Sequence, residues 1–243
     1  MKSVTLYPVT DLPLVNHGDN LSELIVDSLS KAIGINDDDI IVIAQKIVSK
    51  AEGAVVYLSE IKPSVQAKEI ASQTGRDPRL CQIYLDEASE VIAIKGRMVI
   101  TRHKLGFVGS SSGVDRSNIA PHEEEKVVLL PKDPDLSARR ICNYVREKID
   151  KRIAVIINDS CGRDYRGGSV GMAIGISGIG AIEMRVKKDL FGNESQNQIA
   201  LVDELAAAAS ILMGQADEGI PVVLIRGVYF THVEDSNIKD FLY

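Results

Sequence analysis

Three short, uninterrupted apolar runs constrain the fold of this 243-residue chain more than any other feature. They are IIVIA at Ile40–Ala44, RIAVIIN at Arg152–Asn158 and PVVLI at Pro221–Ile225. A continuous apolar run of this length is typical of a strand that is buried on both faces of a sheet. Helical patterns lie between these runs, but not in a strict strand–helix–strand alternation. The sequence therefore predicts an α/β, mixed α+β fold with mixed sheets.

Capping residues and hydrophobic spacing define the remaining elements. Helices are predicted from Asn20 to the C-capping Gly34, from Ser64, from Asp77-Pro78 through Ala88, from Asp133-Pro134-Asp135 to about Ile149, and over Asp203–Met213. Further strands are predicted at Lys2–Val9, Ala54–Leu58, Glu90–Ile94, Met98–Arg102 and Val127–Leu130. Phe107–Pro121 is predicted to be a loop, and Cys161–Ala181 is rich in glycine. Since no linker marks a boundary, we treat residues 1–243 as one unit, whose division into two lobes the sequence does not show.

The charge balance and the cysteines limit the class of protein. With 34 acidic and 28 basic residues, the net charge is −6, which argues against nucleic acid and anionic membranes as partners. Cys81, Cys142 and Cys161 match no zinc or disulfide pattern, which favours the reducing cytoplasm. The N-terminus lacks the apolar stretch of a secretory signal, and no apolar run is long enough to span a bilayer. We therefore expect a cytoplasmic protein.

Two polar segments could carry chemistry in the first half of the chain. Lys46 and Lys50 follow the IIVIA strand closely, where lysines can reach phosphate as point charges. The alternative is a pair of solvated lysines on a surface helix. Asp115 lies in the segment GVDRSN, where its carboxylate could bind a hard cation such as Mg²⁺. The alternative there is a surface turn.

A third polar segment, NDSCGR, begins at Asn158, the last residue of the RIAVIIN run. Asp159 and Ser160 place a carboxylate and a hydroxyl at the predicted end of the strand, where they could hold a metal, and Arg163 and Arg166 could balance phosphate or carboxylate charge. The alternative is an Asx-turn. No histidine lies nearby, so we expect Cys161 to be chemically inert. The usual phosphate-binding loop, dinucleotide fingerprint and nucleophile elbow are all missing. Two candidate metal carboxylates, basic side chains for phosphate and the lack of a catalytic His or Cys favour metal-assisted phosphoryl chemistry.

Seven segments in a fixed order resemble a known family: AQKIVSKAEG, GFVGSSSGVDRSN, LLPKDPDLSA, INDSCGR, AIGISGIGA, VDELAAAA and MGQADEGIPVVLIRG. Together they are similar to the coenzyme F-420-0:L-glutamate (γ-glutamyl) ligase family, from about Tyr7 to Gly227. The resemblance implies an unusual two-part α/β fold that forms an intertwined homodimer. It also implies a ligase that uses GTP to join L-glutamate to the carboxylate of a deazaflavin coenzyme precursor through an acyl phosphate, releasing GDP and phosphate.

The resemblance implies cofactors and site residues as well. The cofactors are two divalent cations, Mg²⁺ or Mn²⁺, and K⁺. Asp115 and Asp159 match the carboxylates on one divalent metal, and Ser160 and Gln215 match positions on the second. The implied nucleotide site comprises Asp11, Leu12, Pro13, Leu14, Gln45, Lys46, Lys50, Asn118, Met213, Gly214, Gln215, Ala216, Asp217, Glu218, Gly219 and Ile220.

The chain departs from the family pattern at three places. Ser160 stands where threonine is usual, which keeps the hydroxyl, and Gln215 stands where some members have glutamate. Asp164-Tyr165 replaces a more usual Pro-Trp, which bears on the acceptor pocket. Two alternatives therefore stay open: a ligase of the same mechanism with another carboxylate acceptor, and a non-catalytic nucleotide-binding protein on the same scaffold. GTP and ATP also stay open as the phosphate donor.

Overall fold

A computed structural model describes residues 3–119, 124–163 and 166–242. It is a mixed α/β structure with several sheets, as predicted. The strands are β1 (Thr5–Pro8), β2 (Ile40–Ala44), β3 (Val55–Tyr57), β4 (Ala88–Lys95), β5 (Met98–His103), β6 (Val108–Ser110), β7 (Lys126–Val128), β8 (Ala154–Arg163), β9 (Arg166–Ser177), β10 (Glu183–Lys188), β11 (Glu194–Ile199) and β12 (Val222–Arg226). The helices are α1 (Leu21–Ala32), α2 (Gln45–Ala51), α3 (Val65–Thr74), α4 (Pro78–Glu87), α5 (Pro134–Ile149) and α6 (Leu201–Met213).

The three apolar runs are neighbouring strands of one central sheet. Its order is β1-β12-β2-β8-β9, with β2 and β8 parallel and the other neighbours antiparallel. Ile40 to Ile43 and Val222 to Ile225 are fully buried. This burial confirms the prediction of strands covered on both faces.

Helices cover the two faces of the central sheet. Alternate strand residues such as Ile41 and Ile43 pack with α1, α2 and α5, while Ile40 and Val42 pack with α6. A third apolar cluster joins α3 and α4 to the strands β3, β5 and β7. The helix caps act as predicted: Asn20, Ser64, Asp77 and Asp133 each accept a hydrogen bond from the first turn of their helix. Gly34, just beyond α1, has a φ of 68°.

Several sequence predictions need correction. The strand predicted to stop at Asn158 continues to Arg163, because β9, which covers most of the glycine-rich segment, pairs with it along its length. The predicted loop 107–121 contains the strand β6 and a 3₁₀ turn at Ser111–Gly113. The hairpin of β10 and β11 was not predicted, since its strands are largely polar and exposed. Lys2, Ala120 and Pro121, at the ends of two predicted elements, lie outside the described residues.

The topology brings four segments to one edge of the sheet. β1 and β2 both run antiparallel to β12, so they end at the edge where β12 begins. Here the amide N of Val9 donates to the carbonyl O of Val222 at 3.0 Å, and the amide N of Ala44 donates to the carbonyl O of Pro221 at 2.8 Å. Asn158 of β8 pairs beside Ala44. Segments 9–14, 45–50, 158–160 and 213–220 therefore meet at this edge, where open α/β sheets bind ligands.

In residues 3–119, 124–163 and 166–242, no helix is both long and apolar enough to cross a membrane.

Candidate active site

Helix α2 presents the two lysines. It starts at Gln45, directly after β2, and Lys46 and Lys50 are one turn apart on the same face. Gln45 is buried, and its Oε1 accepts a hydrogen bond from Ser49 Oγ at 3.0 Å. The Gln45 side chain is thus used within the helix, while both lysine ammonium groups face residues 115–118.

A left-handed turn sets the position of Asp115. Ser111, Ser112 and Gly113 have φ values of 57°, 50° and 65°. The buried Ser112 hydroxyl lies 2.7 Å from the Tyr84 carbonyl and 2.9 Å from Thr101 Oγ1. Left-handed backbone in non-glycine residues is strained and persists where the surroundings enforce it. This buried network therefore fixes the turn that leads into Asp115.

The Asp115 carboxylate is fully engaged by neighbouring groups. Lys46 Nζ lies 2.8 Å from Oδ2. Oδ1 accepts hydrogen bonds from the Ser117 amide N at 2.7 Å and from Ser117 Oγ at 2.9 Å. Lys46 Nζ also donates to Ser117 Oγ at 2.7 Å. Burial alone would raise the pKa of Asp115, but the Lys46 and Ser117 hydrogen bonds outweigh it and lower that pKa. The predicted surface turn is present, as an Asx-turn, and it forms part of the site.

Asp159 lies within β8, beyond a bulge in its pairing with β9. The register of the two strands shifts between Ile157 and Asn158, and bulges of this kind re-aim side chains next to functional sites. Burial raises the pKa of Asp159 to about 7, with a further rise from the charge of Asp115. The Ser160 amide, which donates to Oδ1 at 2.8 Å, and the charge of Lys46 oppose this rise. Asp159 is therefore influenced by the charges of Asp115 and Lys46, although burial is the largest cause of its raised pKa.

The second predicted pair is in direct contact. Ser160 Oγ donates to Gln215 Oε1 at 2.8 Å, which joins β8 to the loop after α6. On the same side, Asn158 Nδ2 donates to Ser210 Oγ at 3.0 Å and approaches Met213 Sδ at 3.3 Å. Gly171, which pairs with Ser160 across the hairpin, lies close to Asn158 and Ser210, and a Cβ atom there would collide with Ser210 Oγ and approach Asn158 Oδ1 to 2.6 Å. Glycine at that position leaves room for this contact between β8 and α6.

Two further hydrogen bonds close a ring of contacts. Lys50 Nζ donates to the Asn118 carbonyl at 2.7 Å, and Asn118 Nδ2 donates to the Ala216 carbonyl at 2.6 Å. Burial and the charge of Lys46 lower the pKa of Lys50. These contacts thus lead from α2 through residues 115–118 to the 213–220 loop, and from Gln215 of that loop to Ser160 of β8. β8 in turn pairs with β2, the strand that precedes α2. We name these contacts the site ring.

The rest of the 213–220 loop is shaped by its own contacts. Gly214 has a φ of 66°, and a Cβ atom there would collide with the Glu218 carboxylate. Glu218 Oε2 accepts a hydrogen bond from the Ala216 amide at 2.9 Å. Asp217, Glu218 and Gly219 are exposed, while Ile220 packs on the apolar cluster under α6. The exposed part of this loop is open to a ligand.

The segment of Asp11, Leu12, Pro13 and Leu14 shares the sheet edge with the site ring. Leu12 packs on the core, whereas Leu14 is 91% exposed. In the portion of the chain that the structure describes, no hydrogen bond or ion pair links this segment to the site ring. An exposed leucine beside the polar site is a surface on which a flat apolar group can pack.

The donor set suits a hard divalent cation bound together with phosphate. Residues 3–119, 124–163 and 166–242 contain no cluster of three or more His, Cys, Asp or Glu that could hold a metal alone. Mg²⁺, however, is usually bound by one or two carboxylates together with substrate phosphates and waters. The side-chain oxygens of Asp115, Asp159, Ser160 and Gln215 fit that pattern, and the ammonium group on Asp115 shows that the carboxylate already attracts a cation.

Sequence reasoning gave Ser117 no role, although it lies within the segment GVDRSN. Its amide and hydroxyl bind Asp115, and the Asp-x-Ser spacing of an Asx-turn is the signal that could have identified it. Burial, with the charges of Asp159 and Asp203, raises the pKa of the Cys161 thiol to about 12, which agrees with an inert thiol. Arg163 Nη2 donates to the Gly167 carbonyl at 3.3 Å within its own hairpin. Asp164 and Tyr165 lie outside the described residues.

Comparison with known proteins places this site in a family. The model of the family described as F420-0:Gamma-glutamyl ligase matches residues 10–227. A relative from Methanothermobacter thermautotrophicus, named Coenzyme F420:L-glutamate ligase, is 42% identical over 98% of this chain and 95% of its own length. Relatives of the same name from Methanocaldococcus jannaschii and Archaeoglobus fulgidus are 47% and 40% identical, over 89% and 93% of this chain and 85% and 88% of their own lengths.

The matched region begins just after β1 and contains the whole site ring. It ends at Gly227, immediately after β12, so the C-terminal segment lies outside it. The chain therefore belongs to the F420-0:gamma-glutamyl ligase family of enzymes.

Proposed function

We propose that this protein joins L-glutamate through its amino group to a carboxylate of the deazaflavin coenzyme F420 precursor, with GTP as the phosphate donor. The relatives are named for F420 and L-glutamate. The observation that carries the proposal is the contact of Lys46 with Asp115 at 2.8 Å, at the sheet edge to which β8 also brings Asp159. Two carboxylates next to phosphate-binding lysines favour a metal-dependent enzyme over a simple binding module.

The proposed reaction has two steps. An oxygen of the acceptor carboxylate attacks the γ-phosphorus of GTP, the bond from that phosphorus to the bridging oxygen breaks, and GDP leaves. The amine of glutamate then attacks the acyl carbon of the resulting acyl phosphate. An amide bond forms, the carbon–oxygen bond to phosphate breaks, and inorganic phosphate leaves while the amine nitrogen loses a proton. Such phosphoryl transfer depends mainly on positioning and on charge stabilisation.

The site ring supplies groups for both needs. Lys46 and Lys50 provide positive charge for the phosphates, and the exposed part of the 213–220 loop lies beside them through the Asn118–Ala216 contact. Asp115 and Asp159 would hold one divalent cation, and Ser160 with Gln215 would hold a second. Bound there, these cations would neutralise the triphosphate and align its transfer. The exposed Leu14 would pack against the nucleotide base.

Mass spectrometry of the products tests this function. The protein is incubated with GTP, Mn²⁺, L-glutamate and the deazaflavin precursor, and with ATP in a parallel reaction. We expect the mass of one glutamyl unit to be added to the precursor, with release of GDP and phosphate. GTP consumption without a change in the precursor would favour a different carboxylate acceptor. No nucleotide consumption with any acceptor would favour the non-catalytic binding protein.

We further propose that the protein is a homodimer in which the β10–β11 hairpin contacts a second copy. Among the described residues, its two strands pair chiefly with each other. Leu190 and Phe191, at the turn of the hairpin, are 99% and 91% exposed. An isolated hairpin is only marginally stable in water, and adjacent exposed apolar residues mark interaction surfaces. A second copy of the chain would cover this turn and stabilise the hairpin.

Light scattering on the purified protein tests the dimer. The double variant Leu190→Ser with Phe191→Ser should be a monomer, while wild type has twice its mass. Ile211→Ser, which changes an 80% exposed residue on α6, is the matched control and should leave the mass at that of the dimer. A monomeric wild-type protein, or a double variant that stays dimeric, would contradict this assignment of the interface.

A further inference from the structure

In the free protein, both oxygens of Asp115 are occupied by groups of the chain itself. Ser117 binds Oδ1 through its amide and its hydroxyl, and Lys46 Nζ binds Oδ2 at 2.8 Å. The two side chains of the ion pair are only 19% and 27% exposed, so water screens the contact incompletely. A cation that binds Asp115 through Oδ2 therefore competes with the ammonium group.

Lys46 cannot remain in place beside a bound divalent cation. Metal–oxygen distances for Mg²⁺ are about 2.0–2.1 Å, so a cation on Oδ2 would lie within a few ångströms of Nζ. Repulsion between a monovalent and a divalent cation at such a separation is large in a partly buried site. The charge of Lys46 also acts on Asp159, so its presence weakens the attraction of both carboxylates for a cation.

A triphosphate offers Lys46 another anion. Lys46 and Lys50 lie on one face of α2, and the partner to which Lys50 donates among the described residues is the neutral carbonyl of Asn118. A nucleotide bound along that face would attract both ammonium groups to its phosphates. Transfer of Lys46 from Asp115 to a phosphate would free Oδ2 at the moment when the cation that accompanies the nucleotide arrives.

We propose that Lys46 acts as a substitute cation that keeps the carboxylate pair closed in the free protein and so couples the binding of divalent metal to the binding of nucleotide. The proposal rests on the proposed function of this site, because it assumes a cation between Asp115 and Asp159. It assigns Lys46 a second role besides contact with phosphate. Metal and nucleotide then favour each other's binding, by the same factor in each direction.

Calorimetric titration with Mn²⁺, without and with saturating GDP, tests this coupling. In wild type, GDP should tighten Mn²⁺ binding by about 10-fold or more, within the usual range of coupling between sites. In Lys46→Met, Mn²⁺ should bind about 10-fold more tightly than in wild type without nucleotide. GDP should then tighten Mn²⁺ binding less than it does in wild type, because the phosphate ligands still contribute but the release of Oδ2 does not. Lys50→Met is the matched comparison on the same helix face. Lys50 acts on Asp115 through its charge but does not contact it, so this variant should weaken GDP binding and tighten Mn²⁺ binding without nucleotide much less than Lys46→Met does.

A second variant and a melting curve separate charge from misfolding. Lys46→Gln removes the charge but keeps a hydrogen-bond donor, and it should resemble Lys46→Met; both should melt cooperatively without metal. Tighter Mn²⁺ binding in both variants supports the proposal. Mn²⁺ binding to either folded variant that is no tighter than in wild type would overturn it while leaving the metal site intact. Absence of Mn²⁺ binding in all chains, even with GDP, would instead overturn the proposed function together with this inference.

Discussion

The substitution Asp159→Asn tests whether Asp159 is a metal ligand or only a structural residue of β8. The substitution keeps the size of the side chain and an oxygen that can accept from the Ser160 amide, but removes the charge. Turnover in the glutamyl-transfer assay should fall by more than about 100-fold, since even the loss of a residue behind a metal ligand costs about 10–100-fold. The stability of the metal-free protein should increase.

The size of the stability change follows from the pKa of Asp159. Burial raises this pKa from 3.8 to about 7, so the folded protein disfavours the charged form. At about 1.36 kcal/mol per pH unit, the penalty for the ionised carboxylate is at most about 4 kcal/mol. For a protein of this size, 1 kcal/mol corresponds to about 2–4 °C in Tm. At pH 8 the metal-free Asn variant should therefore melt up to several degrees above wild type.

The pH dependence has a defined sign. The folded state binds the Asp159 proton more tightly than the unfolded chain does. The free energy of unfolding of the wild-type protein therefore falls as the pH rises from about 4 to 7 and this proton is lost. The advantage of the Asn variant should be full above pH 7 and absent below pH 4. The measurement is thermal unfolding in EDTA at pH 4, 6 and 8, beside turnover at pH 8.

Asp203→Asn is the matched control for this substitution. Asp203 also has a pKa raised by burial, and it accepts a hydrogen bond from the Ala173 amide at 2.9 Å. It lies outside the site ring, so its variant should keep Mn²⁺ affinity. Wild-type turnover in Asp159→Asn would refute the metal role of Asp159. A fall of several degrees in its Tm at pH 8 would refute the electrostatic argument.

Three further substitutions probe other parts of the molecule. Lys50→Ala should weaken GDP binding by about 1–3 kcal/mol, the contribution of a hydrogen bond to a charged group. An unchanged Kd in calorimetry would mean that Lys50 is a solvated surface lysine that does not bind phosphate. Arg226→Met should lower the free energy of unfolding by about 3–5 kcal/mol in denaturant titrations, because it removes the guanidinium that donates to the buried Asp39 at 2.8 and 2.7 Å and leaves that carboxylate with the hydrogen bond from the Asn36 amide but without this counter-ion. A loss below about 1 kcal/mol would contradict this role of the ion pair. Cys161→Ala should keep wild-type turnover, since a thiol with a pKa of about 12 remains protonated, and loss of turnover would contradict its inert role.

The helices and buried strands could be predicted because their signals are local. Asn20, Ser64 and Asp133 cap helices through hydrogen bonds made within three residues, so the sequence alone contains both partners. The run Ile40–Ala44 has no polar residue, which is typical of a strand that is buried on both faces of a sheet. The ordered motifs also identified the family, and the matched residues 10–227 agree closely with the predicted extent.

Long-range pairing decided what local signals could not. The extension of β8 to Arg163 depends on β9, whose glycines give no strand signal of their own, and the neighbour order β1-β12-β2-β8-β9 joins strands from both ends of the chain. The candidate site arises from the same pairing: Lys46 and Asp115 are 69 positions apart in sequence, and Ser160 and Gln215 are 55 apart. The sequence by itself determined which elements form and which residue types the chemistry needs. Only the tertiary structure decided that Lys46 forms an ion pair with Asp115 and a hydrogen bond with Ser117, because strand register and a left-handed turn set those distances.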